Sequence, residues 1–309
     1  MLNITSVIFM HKPILCSMKK ILFGLVFFFT GVGIVFAQDS IPAQTTKPMV
    51  KAPFESGYFI DDQTVALPPA HSLQLVIQHR FGTIQNGFTD LAGIWGASNI
   101  RFGLDFTINK NVLIGVGTTK NKRIQDFQLK YTFLHQRKGG APFTIALYGN
   151  MGINCLNKSS FGTDFKPRDR FSYYGELMIA RRFCKIFSAQ LGLAWVHYNI
   201  VDSSVTKRDW HVNNMYNDNF QILGIGRLKI SPQTSIIATY SQSIMTYVNR
   251  KPWPNAGLGI EISTSTHAFQ VYLAAAQGIV PQEVAFYNDN NPYNGVILIG
   301  FNITRLWTF

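Results

Sequence analysis

Two runs in this chain change polarity at every second residue. In residues 99–108 one face carries Ile100, Phe102, Leu104, Phe106 and Ile108, and the other Asn99, Arg101, Gly103, Asp105 and Thr107. In residues 125–133 the apolar face is Phe127, Leu129, Tyr131 and Phe133, against Asp126, Gln128, Lys130 and Thr132. Successive side chains of a strand point to opposite sides, so each run presents one wholly apolar surface and one charged surface. A sandwich in water buries the apolar side. A closed sheet in a bilayer turns it outward and encloses the polar side, so these runs alone leave both architectures open.

Composition narrows the choice. The chain is 47% hydrophobic and 14% charged, apolar for a protein in water. Beyond the N-terminal region, however, no run approaches the roughly 20 apolar residues that a spanning helix requires, so any insertion into a bilayer uses strands. The 25 Phe and 12 Tyr suit large apolar surfaces and interfacial girdles. The formal charge of +12 includes Lys12, Lys19 and Lys20 of an N-terminal segment read as discarded. A basic balance fits nucleic acid, anionic lipid or an anionic solute. The export signal argues against nucleic acid, which leaves basic turns and rims beside lipid head groups as the plain reading.

That signal is Met18-Lys19-Lys20, an apolar stretch and the small residue Ala37 before Gln38, so residues 1–37 read as a signal peptide whose start is Met1 or Met18. A retained membrane helix is the alternative. Residues 38–70 hold Pro42, Pro48, Pro53, Pro68 and Pro69 among polar residues and read as a periplasmic tail, within which residues 54–60 can form a short strand or plug. Asp61 and Asp62 read as a solvated turn. Residues 71–309 carry twelve candidate strands, at 73–81, 99–108, 112–119, 124–135, 143–154, 171–183, 187–198, 219–229, 235–247, 258–263, 267–275 and 296–309.

The connections separate the two architectures. Short ones at 109–111, 136–142, 184–186, 230–234 and 264–266 alternate with long ones at 82–98, 155–170, 199–218, 248–257 and 276–294. Only the turn at 121–123 breaks the pattern. Tight turns at one end and long loops at the other predict an all-β, antiparallel, up-and-down transmembrane barrel of about twelve strands, with short periplasmic turns and long extracellular loops. The last strand ends on Phe309, a terminal aromatic that reads as the signal for the outer-membrane assembly machinery.

Several pieces also resemble a known family. These are Pro53-Phe54-Glu55-Ser56, Gln78-His79-Arg80-Phe81-Gly82, residues 99–105, and residues 120–136 with Lys130-Tyr131. In these the chain is similar to the uncharacterised outer-membrane β-barrel family of Bacteroidota (a domain of unknown function, DUF5777-like). The resemblance implies a barrel in the bacterial outer membrane and supplies no activity.

On the strand parity, Arg80, Arg101, Asp105, Asp126, Lys130, Glu176, Arg182 and Glu261 face the lumen. Opposite charges in a narrow interior pair with one another, since an isolated buried charge costs several kcal/mol. Two readings stay open: a polar pathway for a small solute, or an ion-pair network filling the lumen, with residues 82–98 folding inward as a cap or covering the mouth. Catalysis is the weaker class. His79, His135, His197 and His267 fall on the lipid-facing parity, His211 beside Asp209 is a lone loop histidine, and no GxSxG, phosphate loop or metal motif occurs. Residues 289–294 offer oxygen ligands without the spacing of a calcium loop. Cys155 and Cys184 fall near opposite ends of adjacent strands, about 30 Å apart and too far for a disulfide. The expected function is therefore a non-enzymatic barrel, without cofactor or metal, for passage or binding of a small polar solute. The alternatives are a structural or partner-binding barrel and, third, a lipid-modifying enzyme. The expected partners are outer-membrane lipid and the assembly machinery.

Overall fold

A computed structural model of the chain describes residues 48–162, 164–201, 217–245 and 252–309. The signal segment and the loop around His211 lie outside them. A hairpin, β1 (Tyr58–Phe59) and β2 (Asp62–Gln63), precedes twelve barrel strands. These are β3 (Ser72–Thr83), β4 (Asn99–Asn109), β5 (Val112–Thr119), β6 (Ile124–Leu134), β7 (Thr144–Asn154) and β8 (Phe171–Arg182). The remainder are β9 (Phe187–Tyr198), β10 (Asp218–Lys229), β11 (Thr234–Ser243), β12 (Asn255–Ser263), β13 (His267–Ala274) and β14 (Leu298–Thr308). Every strand pairs antiparallel with its neighbours in sequence, and β14 pairs with β3 to close the ring. Closure satisfies the backbone donors and acceptors that an open edge would leave bare in hydrocarbon.

The faces are sorted as a bilayer requires. Phe102, Leu104, Phe127 and Leu129 stand on the outside, each 46–51% exposed, while Arg101, Asp105, Asp126 and Lys130 on the alternate positions are 1–3% exposed. The same inside-out order runs through the other strands, with Leu191, Leu193, Ile222, Leu258 and Val271 outward and Gln190, Gln221, Glu261 and Gln270 inward. Bulges at Thr107/Asn109 and Thr132/Leu134 fall where β4 and β6 reach the short turns.

Two parts of the chain differ from the sequence reading, and in a third the strand or plug it allowed for residues 54–60 is found. Residues 82–98 do not fold inward: a 3-10 turn (Ile84–Asp90) leaves Phe88 95% exposed, because bonds from Gly82 N to Gly93 O and from Ile84 N to Ile297 O hold the loop outside the mouth. The mouth is filled instead from the β13–β14 connection, by the short helix α1 (Pro281–Tyr287), of which Gln282 to Phe286 are buried. Within the Pro-rich stretch, Pro48 to Val50 run along the β6–β7 turn, with Val50 N bonded to Gln136 O and Lys138 N to Pro48 O. The chain then enters the barrel, where Phe54, Tyr58, Phe59, Ile60, Val65 and Ala66 are all buried.

The apolar belt yields a direct test. Leu129 sits at the centre of β6 on the outer face, so Leu129→Arg is expected to weaken folding into bilayers by about 2–4 kcal/mol, whereas Phe133→Arg, at the strand end, costs about 0–1 kcal/mol. Urea titration of the barrel refolded in vesicles measures both.

Candidate functional site

The interior is built on two levels, both made by the chain itself. On the lower level the β1–β2 hairpin lies free of any strand edge, since the closed ring offers none, and side chains hold its backbone instead. Gln270 Nε2 donates to Tyr58 O (2.7 Å) and Gln270 Oε1 accepts from Ile60 N (3.1 Å). Asn302 donates to Ile60 O (2.6 Å), Gln190 donates to Gln63 O (2.7 Å) and accepts from Val65 N (2.9 Å), and Lys130 Nζ donates to Gly57 O (3.2 Å). The turn places Ile60 at φ 61°, a left-handed conformation that a β-branched residue adopts only where its surroundings enforce it. Gly257 on β12 permits that fit, because a Cβ there would lie 2.6 Å from Ile60 Cδ1.

The eight inward charges divide by task. Arg101 and Asp126 form a bidentate pair (Nε–Oδ1 2.9 Å, Nη2–Oδ2 2.6 Å), with Arg101 Nη1 donating to Gln78 (3.2 Å) and Asn150 donating to Asp126 (3.2 Å). A Cβ at Gly117 would collide with that guanidinium. Asp105 accepts from the Tyr58 hydroxyl (2.6 Å) and from Gln128. Arg80 faces Asp61 (3.4 Å) and donates to Ala276 O (3.0 Å). Lys130 grips the hairpin, Glu176 accepts from Tyr174 (3.1 Å), and Glu261 accepts from Gln270 (2.9 Å). Arg182 stands apart at the short-turn rim, donating to the carbonyls of Cys184 and Lys185. Phe309 is 85% exposed, with its N–H bonded to His71 O.

The Asp61-Asp62 reading is corrected. Both residues are buried in the hairpin, where Asn255 donates to Asp61 (2.5 Å). Burial pushes both carboxyls above the usual range, Asp62 farther because the charges of Asp61 and Glu176 add to it. The sequence reading assigned no role to the amides Gln78, Gln128, Gln190, Asn255, Gln270 and Asn302. Their signal was present, as polar residues on the enclosed parity of otherwise apolar strands.

On the upper level α1 closes the loop side. Gln282 donates to Asn150 (2.8 Å), Asn219 (3.0 Å) and Ser243 (2.6 Å) donate to Ala285 O, and Tyr198 packs edge-on against Phe286. Glu283, 2% exposed, accepts from Asn121 (3.1 Å) and faces Lys122 (3.7 Å). The short 121–123 connection is thus where the helix seats. Above it a vestibule of about 570 Å³ is lined by Lys122, Asn154, Arg170, Tyr198, Asn199 and Tyr287, among others. The Tyr198 hydroxyl is buried without a hydrogen-bond partner.

Of the histidines, His197 lies between Asp218 (2.9 Å) and Asn199 (3.1 Å) and stacks near Trp195, while His79 stacks on Phe301. No cluster of three or more metal-ligating side chains occurs among the described residues, and Cys155 and Cys184 are free.

Two measurements follow from this geometry. Removing one member of the Arg101–Asp126 pair leaves a buried charge, so Asp126→Ala is expected to destabilise the barrel by about 3–5 kcal/mol, and Arg101→Met with Asp126→Leu by much less. Urea unfolding of the single and double variants gives the comparison. Burial pushes the Glu283 carboxyl up to about 7, despite Lys122 nearby. Between its usual 4.5 and about 7 the docked helix retains a proton that a released one loses, so docking weakens as pH rises through that window. Once corrected for intrinsic rates, amide exchange of residues 281–287 is expected to be faster at about pH 8 than at about pH 5. Glu283→Gln is expected to erase the difference.

A family model described as a membrane bound beta barrel domain (DUF5777) matches residues 54–307, beginning where the luminal segment begins. Among solved structures the chain is similar to the NanC porin (8% identity, TM-score 0.47, covering 77% of this chain and 99% of that one). It is also similar to the KdgM porin (8%, 0.43, 77% and 99%) and to an outer membrane channel from Pseudomonas putida F1 (10%, 0.46, 78% and 97%). No curated protein matches the chain.

Proposed function

The chain belongs to the membrane-bound β-barrel family DUF5777, and from that premise we propose a non-enzymatic outer-membrane barrel that binds a small polar solute in its loop-side vestibule without passing it. The observation that carries this reading is the double filling of the lumen, by the β1–β2 hairpin below and α1 above, with side chains of β3, β4, β6, β9, β12, β13 and β14 bonded to the lower segment. A pathway for solute would need bulk water along the axis, and these segments occupy that space. Solute binding draws on the vestibule, where the cations Lys122 and Arg170 and the amides Asn154 and Asn199 line one space. Polar groups of both hydrogen-bonding senses beside the ring of Tyr287 suit a hydroxylated solute.

The non-enzymatic part of the reading is supported at His197. Its two ring nitrogens bond to Asp218 and Asn199, and it lies among Tyr173 and Trp195 on the outer face, an environment expected of an interfacial girdle.

Planar-bilayer recording decides between binding and passage. The full chain is expected to give no steady current, and a variant lacking both fillings, residues 48–66 and 281–287, is expected to conduct. A steady ohmic current through the intact chain would remove the proposal.

A further inference from the structure

Basic residues at the short-turn end of the barrel are concentrated on one side. The turns joining β6 to β7, β8 to β9 and β10 to β11, with their flanking strand ends, carry Arg137, Lys138, Arg181, Arg182, Lys185 and Lys229. The β12–β13 turn is Thr264, Ser265 and Thr266, and the β4–β5 turn adds only Lys110. A recess of about 570 Å³ opens between the first two basic turns, lined by Lys51, Arg137, Lys138, Arg181, Arg182 and Lys185 and by no carboxylate.

The charge behind the recess is only partly neutralised. Glu55 Oε1 lies 3.1 Å from Lys51, 3.2 Å from Lys229 and 3.5 Å from Arg227, and Glu261 also acts on Arg227, so two carboxylates face three cations. Arg227 is 1% exposed, and none of its guanidinium nitrogens makes a hydrogen bond. A concave, one-signed surface backed by a buried cation concentrates anions.

Arg181 fixes where that anion sits relative to the bilayer. Its guanidinium lies on the outer face between the rings of Phe143 (5.5 Å) and Phe183 (5.3 Å), an arrangement that holds a cation at the edge of the hydrocarbon. Phe183, Ile186, Phe187 and Ile230, all exposed, complete an apolar border along the same sector. A ligand meeting both surfaces carries a negative head and apolar chains.

We propose that this sector is a binding site for the phosphate headgroup of an anionic phospholipid in the leaflet on the short-turn side. Arg181, Lys138 and Lys185 contact the phosphodiester, and Arg227 and Arg182 supply the field behind it. The site is distinct from the vestibule, which opens at the other end, and does not depend on what binds there. A free phosphate shares the head's chemistry but not its chains, and the test separates them.

Full-length protein refolded in maltoside micelles is mixed with dioleoylphosphatidylglycerol or dioleoylphosphatidylcholine, and retained lipid is counted by native mass spectrometry. The phosphatidylglycerol is expected to be retained preferentially, at one molecule per chain. The triple variant Lys138→Gln, Arg181→Gln, Lys185→Gln is expected to lose affinity by about fivefold for each cation removed. The control Arg305→Gln, on β14 across the ring, is expected to retain the lipid, with heat-modifiable gel migration reporting that both variants are folded. Equal retention of the two lipids, or equal loss in the control, overturns the site. Displacement of the lipid by inorganic phosphate as readily as by phosphatidylglycerol overturns the lipid assignment in favour of a free anion.

Discussion

An unpaired charge or backbone dipole held away from bulk water costs several kcal/mol, and both faces of this sheet are organised by that cost. Outside, the ring closes between β14 and β3, so no strand edge meets hydrocarbon. Inside, the remedy differs, because a closed ring has no edge with which an enclosed segment can pair. The luminal hairpin is therefore held by side chains reaching in from the wall: amides, a lysine and an aspartate, each spending its hydrogen bonds on a carbonyl, an N–H or a hydroxyl of the segment. Charges of the lumen that do not touch the segment are covered otherwise, Arg101 and Asp126 by each other and Glu176 by Tyr174.

The two levels of filling share bonds. Tyr58 of the hairpin accepts from Gln128, Gln128 accepts from Tyr148, Asn150 donates to Tyr148, and Gln282 of α1 donates to Asn150. Arg80 makes a second link, with Asp61 of the hairpin on one side and Ala276 O of the α1 connection on the other. Each member of such a chain polarises the next. The lower segment and the upper helix therefore stand in one hydrogen-bonded structure although they come from opposite ends of the domain.

How much of this could be read from the chain depends on the range of the signal. The barrel strands were legible because period-two alternation is local: in β6 it places Phe127, Leu129 and Tyr131 outward and Asp126, Gln128 and Lys130 inward without reference to any other strand. The stronger turns and the alternation of loop lengths then gave strand order. The filling was not legible in the same way. Residues 54–60 stood out as an apolar island, but Asp61 and Asp62 have the look of a solvated turn. The partners that make them a buried one, Arg80 and Asn255, lie far along the chain. Asn302, which caps the same hairpin, is 242 residues from Ile60. The helix α1, at seven residues, is too short to display a period, and its burial comes wholly from tertiary contact. Residues 82–98, with more apolar surface, looked the better cap and stand outside the mouth.

The manner of attachment sets which part of the molecule yields first. Each barrel strand is joined to two neighbours by a continuous backbone ladder, and removing one breaks the ring and exposes two edges to hydrocarbon. The hairpin has only two residue pairs and one flanking backbone bond, Thr64 N to Gly57 O, of its own, and its bonds to the wall end on side chains that water can satisfy equally well once it enters. Releasing it leaves the ring intact and exchanges protein hydrogen bonds for hydrated ones. Its principal costs are then the exposure of Phe54, Phe59 and Ile60 and the hydration of the space it vacates, offset in part by relief of the left-handed Ile60 backbone. The wall and its filling are thus separate in stability although continuous in sequence, and a change of state in this molecule begins with the filling.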